Sequence, residues 1–206
     1  MTVDDLMNFK DPGLGRPVPH REIYILAKNN HEGGTEFWYA SVDSRGDPYT
    51  LGYNDAVQGY VEIVPYDYGE LNDQGPCHLA WQVKYATATD KWGPLLYDVA
   101  MEYATMWGSG DEPNSGGLIA DREMISDDAR AIWDYYLGQR GDVDHHQLDD
   151  LDNTLTPEIE IDNCDQYVAS VGGKYDWIEN SLSKRYRKEP TTIGRLMRLG
   201  RYIDQT

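Results

Sequence analysis

The residues whose types and spacing best suit a chemical role lie at the junction of a predicted strand and a predicted helix. The chain turns at Trp92-Gly93, just after Lys91, and a helical pattern begins at Pro94. Where a strand diverges from its neighbour, the first backbone amides of such a helix, including that of Leu95, point into the gap. The sequence therefore predicts a positively polarised nest for a pyrophosphate group, to which Lys91 adds a full charge.

Other groups of reactive side chains lack a functional arrangement. Residues 142–150, DVDHHQLDD, offer metal-ligand types without ligand spacing, so we expect a solvated acidic loop and predict no metal site. The segment from Asp150 lacks the glycine that a calcium loop needs at its sixth position. No Ser stands in a nucleophile elbow, and Cys77 and Cys164 belong to no recognisable motif. The sequence thus gives no support to metal or nucleophilic-triad chemistry.

Hydrophobic periodicity predicts the elements that must position the turn. CHLAWQVKYATA predicts the strand before the turn, and GLIAD predicts a short apolar strand. Apolar residues at helical spacing predict one helix from Pro94 to Gly108 and a second helix capped by Ser126. An antiparallel meander is predicted earlier in the chain by three β-rich runs, REIYILA, TEFWYASVD and QGYVEIVPYD.

The two ends of the chain have different patterns. The first twenty residues contain three Pro and two Gly, which predicts an irregular lead-in. The acid-rich run after residue 140 is either a strand with a polar loop or an acidic linker. Beyond it YDWIENSLSKRYR has a helical pattern, and TTIGRLMRLGRYI predicts a short basic helix begun by Thr191 or Thr192. We therefore expect an irregular segment (1–20), an α/β domain (21–150) and an acidic linker with a basic helical extension (151–206).

The charge of the chain is unevenly distributed. Residues 1–173 hold 10 Lys and Arg against 32 Asp and Glu, whereas residues 174–206 hold 8 against 4, so a body of −22 carries a tail of +4. A body this acidic repels phosphate backbones, which excludes it as a nucleic-acid reader. The tail is either a solvated basic helix or a contact for an anionic surface on its own body or on a neighbouring subunit.

The sequence predicts neither a membrane-spanning segment nor an export signal. No apolar run approaches the roughly 20 residues needed to cross a bilayer, and the first residues lack a basic region followed by an apolar stretch. Two widely separated cysteines predict neither a disulfide scaffold nor a zinc ribbon. We expect a cytoplasmic protein.

The order of four segments resembles the Gcn5-related N-acetyltransferase family (GNAT), whose core runs strand, strand, helix, strand, helix. The resemblance covers about 80 residues, between Tyr60 and Gly138. It implies an α+β fold with a mixed, mostly antiparallel sheet flanked by helices. It also implies acetyl-CoA as the cofactor and transfer of an acetyl group to an amine. The segments that carry it are CHLAWQV, DKWGPLLYDVAMEYATMWG, GLIAD and SDDARAIWDYYLG.

The resemblance also implies roles for individual residues. Backbone amides near Val83 and Lys84 are expected to hold the oxyanion. Glu62 and His78, on strands that flank the predicted gap, are candidate bases for the amine. The alternatives are a solvent-facing strand acid for Glu62 and a hydrogen-bonded partner at a strand start for His78. Lys91, Trp92, Gly93 and Leu95 are expected to bind the pyrophosphate.

A third role in the family is the acid that protonates the leaving thiolate. The tyrosine that often supplies this proton falls on Trp133 here, and an indole cannot serve as the acid. Tyr136, one turn along the same predicted helix, is the candidate that replaces it.

The sequence is also similar to bacteriophage-encoded proteins of unknown function that share a GPLLYD helix start, a GL-x-x-DR strand end and an S-x-x-A-x-x-x-W-x-x-Y helix. That similarity places Asp121 and Arg122 at the mouth of the cleft, with Arg122 the better ligand-binding candidate. The alternative is a structural pair that closes the strand end.

A second hypothesis follows from the similarity to phage proteins. It is a catalytically silent component of a phage virion or assembly, located in the host cytoplasm or in the virion. The basic tail would then contact another copy in a homo-oligomer or other phage structural proteins.

Overall fold

The computed structural model describes residues 2–9, 22–31, 33–53, 55–66, 79–108, 116–121, 125–148 and 179–206, and every structural statement below concerns these residues. The chain divides into two compact units. The first unit comprises Met1–Ile63, Lys84–Ala100 and Pro190–Thr206. The second comprises Val64–Val83 and Met101–Glu189.

The described residues form helices and short strands. The helices are α1 (Val3–Asn8), α2 (Gly93–Gly108), α3 (Asp127–Gln139) and α4 (Thr191–Arg198). The strands are β1 (Tyr24–Asn29), β2 (Thr35–Val42), β3 (Pro48–Thr50), β4 (Gly59–Pro65), β5 (Trp81–Ala88), β6 (Leu118–Ile119), β7 (Asp144–Gln147), β8 (Lys184–Arg187) and β9 (Tyr202–Gln205). Strands β4 and β5 and helix α2 each contribute residues to both units.

In the first unit, the strands are ordered β5-β4-β2-β1-β9, and β3 pairs with β2. The β1/β2, β2/β3 and β2/β4 pairs are antiparallel, whereas β9 runs parallel to β1. Alternate residues of a strand face opposite sides of the sheet. Phe37, Tyr39, Val61 and Ile63 accordingly lie in the core, while the residues between them form the opposite face.

The N-terminal helix α1 lies in a segment for which irregular structure was expected. Its first turn is fixed by a capping box, in which the Thr2 hydroxyl accepts from the Asp5 amide and the Asp5 carboxylate accepts from the Thr2 amide. Val3 and Leu6 are buried, so the apolar face of this short helix is covered. The Pro and Gly residues that favoured an irregular lead-in lie at 12–19, outside the described residues.

In the second unit, the strands are ordered β7-β8-β6-β5-β4. β5 and β6 are parallel, and β8 is antiparallel to both β6 and β7. α3 begins at its predicted N-cap, where the Ser126 hydroxyl accepts from the Ala129 amide at 3.2 Å. The helical pattern predicted for residues 175–187 is wrong over its last part, because Lys184–Arg187 is a strand. Tyr186 is fully buried there, and pairing with β6 and β7 overrides the local pattern.

The fold is α+β, with a mixed, mostly antiparallel sheet flanked by helices, as the sequence predicted. Five strand pairs with described registers are antiparallel and two are parallel. The helix predicted from Pro94 to Gly108 is confirmed as α2. The basic helix begun at Thr191 is confirmed as α4 up to Arg198, but its predicted end is wrong, because Tyr202 and Ile203 belong to β9 and pair with β1. The first three predicted strands are confirmed as β1, β2 and β4.

Candidate functional site

The predicted pyrophosphate turn is a tight turn held at both ends. The Trp92 amide donates to the Thr89 carbonyl at 2.9 Å, which closes a four-residue turn between β5 and α2. Thr89 is fixed in its turn by Gln58, whose amide donates to the Thr89 hydroxyl at 3.0 Å. Lys91 adopts a φ of +69°, a left-handed conformation that non-glycine residues adopt at an energetic cost. The turn thus presents Lys91 in a fixed backbone geometry.

Trp92 is a core residue of the first unit. Its side chain is buried, and its indole packs edge-on against the rings of Phe9 and Tyr39, with centroids 5.0 and 5.1 Å away. The Tyr39 hydroxyl donates to the Trp92 carbonyl at 2.7 Å. Burial, and secondarily the charge of Asp98, raise the pKa of Tyr39 well above its usual value, which keeps it a donor. These contacts anchor the start of α2 to β2.

The exposed side chains of the turn are therefore charged ones. Asp90 and Lys91 are exposed, whereas Gly93, Leu95 and Leu96 are buried at the start of α2. Pro94 offers no amide hydrogen at this position. What remains for an anion at this turn is the set of backbone amides at the start of α2 together with the Lys91 ammonium group.

Strand β5 extends beyond its parallel partner. The ladder with β6 consists of the pairs Trp81/Leu118 and Gln82/Ile119, whereas β5 continues to Ala88. Val83 is buried, but the four residues Lys84–Thr87 are all exposed. Because successive residues point to opposite faces of a strand, this stretch is accessible from both faces. The amides predicted to hold an oxyanion lie at the start of it, and their role stays a prediction.

Glu62 is a carboxylate with defined partners. It lies on β4, opposite Glu36 of β2, and its side chain is only 16% exposed. Its Oε1 accepts from the Asn30 side-chain amide at 2.8 Å and lies 3.7 Å from the Lys84 ammonium nitrogen. A largely covered, partnered acid differs from the solvent-facing strand acid that was the alternative. Its role as a general base stays a prediction.

A row of aromatic rings lies beside Glu62 on the same face of the first unit's sheet. The Trp38 and Tyr60 rings are stacked with centroids 4.3 Å apart and planes 9° apart, and Tyr60 and Tyr85 are stacked at 5.6 Å and 7°. Burial, and then the charges of Glu62 and Glu36, raise the pKa of Tyr60. We call Trp38, Tyr60 and Tyr85 the aromatic row. Sequence reasoning missed it, although alternation within β2 and β4 placed Trp38 and Tyr60 on the polar side of their strands.

One end of the aromatic row is closed by a side chain of the protein. The Lys28 ammonium nitrogen lies over the Trp38 ring, 5.0 Å from its centroid, and 3.1 Å from Glu36. The Trp38 indole nitrogen donates to Glu36 at 2.7 Å. Glu36 therefore fixes both the cation and the ring on which it lies.

The other predicted site residues lie elsewhere or outside the described residues. Tyr136 is fully buried in the second unit, where its ring contacts those of Trp133 and Tyr186 and lies under the Arg140 guanidinium. Its role as an acid is untested. His78 and Arg122 lie outside the described residues, as do both cysteines.

The histidine-rich run, for which a solvated acidic loop was expected, is instead the strand β7, held by its pairing with β8. A strand was one of the two alternatives for the longer acid-rich segment. His145 and His146 are neighbours on it and so point to opposite faces. Burial, and then the charges of Arg185 and Arg187, lower the pKa of His146. Within the described ranges, no three His, Cys, Asp or Glu side chains are grouped as a metal site. None of the helices described here combines the length and apolar character needed to cross a membrane.

The chain matches no protein-family model, and comparisons with curated proteins and with solved structures gave no match.

Proposed function

We propose that the protein is an N-acyltransferase of the GNAT type that uses acetyl-CoA. The observation that carries this proposal is the β5-α2-β6 crossover, in which a tight turn leads from β5 into α2 and α2 leads into a strand parallel to β5. The elements β4, β5, α2, β6 and α3 follow one another in the order strand, strand, helix, strand, helix. That order is the one the sequence resemblance implies.

The chemistry of the turn suits a pyrophosphate. The amides at the start of α2 supply polarised donors, and the exposed Lys91 supplies a full positive charge. The contacts of Trp92 with Tyr39 and of Thr89 with Gln58 hold these groups in place before a ligand arrives. The exposed stretch Lys84–Thr87 offers backbone groups to an extended polar chain, such as the pantetheine arm of the cofactor.

The reacting groups are assigned from the same elements. When bound, acetyl-CoA supplies a thioester whose acetyl group passes to the nitrogen of an amine as the thiolate departs. Glu62 takes a proton from the amine, and the hydrogen bond from Asn30 orients its carboxylate. The amides of Val83 and Lys84 stabilise the developing oxyanion. The acid that protonates the thiolate is not assigned, because Tyr136 is fully buried in the interior of the second unit.

The test is titration of the full chain with acetyl-CoA, followed by calorimetry and by thermal unfolding. A ligand present at 100 times its Kd stabilises by about 2.7 kcal/mol, which corresponds to a rise of roughly 5–10 °C in Tm for a chain of this size. The variant Lys91→Asn removes the charge and tolerates the left-handed conformation, and we expect it to weaken binding about tenfold.

The matched control is Arg45→Asn, which removes a positive charge from another exposed turn of the first unit. It should leave the affinity for acetyl-CoA unchanged. Absence of heat and of a Tm shift at millimolar acetyl-CoA would overturn the proposal, as would equal weakening by the two variants.

The alternative of a structural phage component stays a prediction. In that hypothesis the basic tail contacts another copy or other phage proteins. Arg195 pairs with Asp4, and Arg201 pairs with Glu22 at 2.5 Å, while β9 extends the first unit's sheet beside β1. Two positive charges of the tail are thus paired with acids of the same unit. A contact with the chain's own acidic body was one of the alternatives predicted for the tail.

A further inference from the structure

The aromatic row has two ends with different surroundings. Its members come from three neighbouring strands, Trp38 from β2, Tyr60 from β4 and Tyr85 from β5. The planes of neighbouring rings are nearly parallel, and the rings are stacked, so each inner ring face is covered by the next ring. Only the outer face of Trp38 and the outer face of Tyr85 are left to contact anything else.

At the Trp38 end, the contact is a primary ammonium group. Lys28 lies over this face, and Glu36 holds both the ammonium and the indole. A ring face is electron-rich, which makes an ammonium group a favourable neighbour. An ammonium group is therefore a suitable neighbour for the outer ring face at an end of the aromatic row.

The Tyr85 end is accessible. Tyr85 is 58% exposed although the Tyr60 ring covers one of its faces. The neighbouring strand β6 pairs with β5 only at Trp81 and Gln82, so among the described residues no strand pairs with β5 beside Tyr85 on the side away from β4. The Lys84 charge beside it is balanced by Glu62, 3.7 Å away.

We propose that the outer face of Tyr85 binds the ammonium group of an amine ligand, in the way that Lys28 occupies the outer face of Trp38. The ligand class is an alkyl amine that is protonated at neutral pH. Resting on the proposed function, the inference names the acceptor as such an amine, anchored through its ammonium group one residue from the Lys84 amide. The formal charge of −18 favours the approach of a cation of this kind.

The test is an NMR titration of the full chain with 1,5-diaminopentane, in the absence of any cofactor. The neutral isostere 1,5-pentanediol is the matched ligand control. We expect the diamine, and not the diol, to shift the ring resonances of Tyr85 in a saturable manner. Tyr85→Leu should weaken binding about two- to fivefold, whereas Tyr85→Phe should retain it because the ring face remains.

Tyr53→Leu is the matched variant, since Tyr53 is 90% exposed in the same unit and is not part of the row. It should not alter the affinity. Equal shifts with the diol, or unchanged affinity in Tyr85→Leu, would overturn the inference. Acetyl-CoA binding is measured separately, so a protein that binds the diamine and not acetyl-CoA refutes the proposed function alone. One that binds acetyl-CoA and not the diamine refutes this inference alone.

Discussion

Two ion pairs in this molecule, one in each unit, differ in their exposure to solvent. On the sheet face of the first unit, Glu62 lies near Lys84, and their side chains are 16% and 44% exposed, so the lysine is the exposed member of this pair. In the interior of the second unit, Glu102 pairs with Lys188, and their side chains are 0% and 2% exposed. The first pair contacts solvent, so its lysine can exchange one partner for another, whereas the second pair is buried in the protein.

Several contacts hold the lysine of the buried pair in place. The Lys188 amide donates to the Thr105 hydroxyl at 3.1 Å, and that hydroxyl donates to the Met101 carbonyl one turn back on α2. The Lys188 ammonium nitrogen also lies 3.9 Å from Asp142. Backbone and side chain of Lys188 are thus both fixed against α2.

The difference in exposure between the two pairs indicates where a ligand is expected to bind. Removing one member of a buried pair leaves an uncompensated charge, so that pair is suited to fixing a structure. A pair with a solvent-exposed member contributes less to stability, so a ligand can compete for its charges at little cost to the fold. On this ground the first unit's sheet face is the better place for a binding site.

The largest expected effect comes from breaking the buried pair. Glu102→Gln leaves the Lys188 charge buried, and we expect it to lower the free energy of unfolding by about 3–5 kcal/mol, measured by urea denaturation. Glu62→Gln is the matched change in the exposed pair and should lower it by less than about 1 kcal/mol.

A double variant separates charge from packing at the buried pair. Glu102→Leu with Lys188→Met removes both charges together and should recover most of the stability lost in Glu102→Gln. Similar losses for Glu102→Gln and Glu62→Gln would contradict the distinction between the two pairs.

An intermediate effect is expected from the centre of the aromatic row. Tyr60 stacks on both Trp38 and Tyr85, and each aromatic pair contributes about 0.5–1.5 kcal/mol beyond its buried area. Tyr60→Leu should therefore destabilise the protein by about 1–3 kcal/mol and alter the near-ultraviolet circular dichroism. Tyr53→Leu, an exposed control in the same unit, should change stability by less than about 0.5 kcal/mol. An equal change in the two variants would show that the row is not a coupled structure.

The elements of the fold were predictable where the signal is local. Ser126 caps α3, and α2 ends at Gly108, because caps and periodicity act within one or two turns of the chain. β8 was not predictable, because the short run Lys184–Arg187 is extended only through its pairing with β6 and β7. A local helical pattern loses to such pairing.

The aromatic row and the buried ion pair depend on distant parts of the chain. Stacking of Trp38 on Tyr60 requires the β2/β4 register, which no local signal specifies. Lys188 and Glu102 meet although they lie 86 positions apart. The turn before α2 was predictable in position, but the burial of Trp92 depends on Phe9 and Tyr39, which come from distant segments.

The smallest expected effect concerns a third charged pair, which holds the end of the chain. Glu22 accepts from the Arg201 guanidinium at 2.5 Å and from the Tyr24 hydroxyl at 2.7 Å, and these bonds lower its pKa from 4.5 to about 2. A carboxyl whose pKa is lowered by folding stabilises the fold above its unfolded pKa, and that contribution is lost as the pH falls from about 4.5 to about 2.

Because the Glu22 side chain is 57% exposed, solvent screening limits its contribution to less than about 1 kcal/mol, as for the exposed pair of the sheet face. Carbon-13 NMR of the Glu22 carboxyl should show titration well below pH 4.5, and Arg201→Gln should move it back toward 4.5, while Arg45→Gln should leave it in place. If the Glu22 carboxyl of the unchanged protein titrates near pH 4.5, Arg201 does not hold Glu22 in solution. The contact between β9 and β1 would then depend on backbone pairing alone.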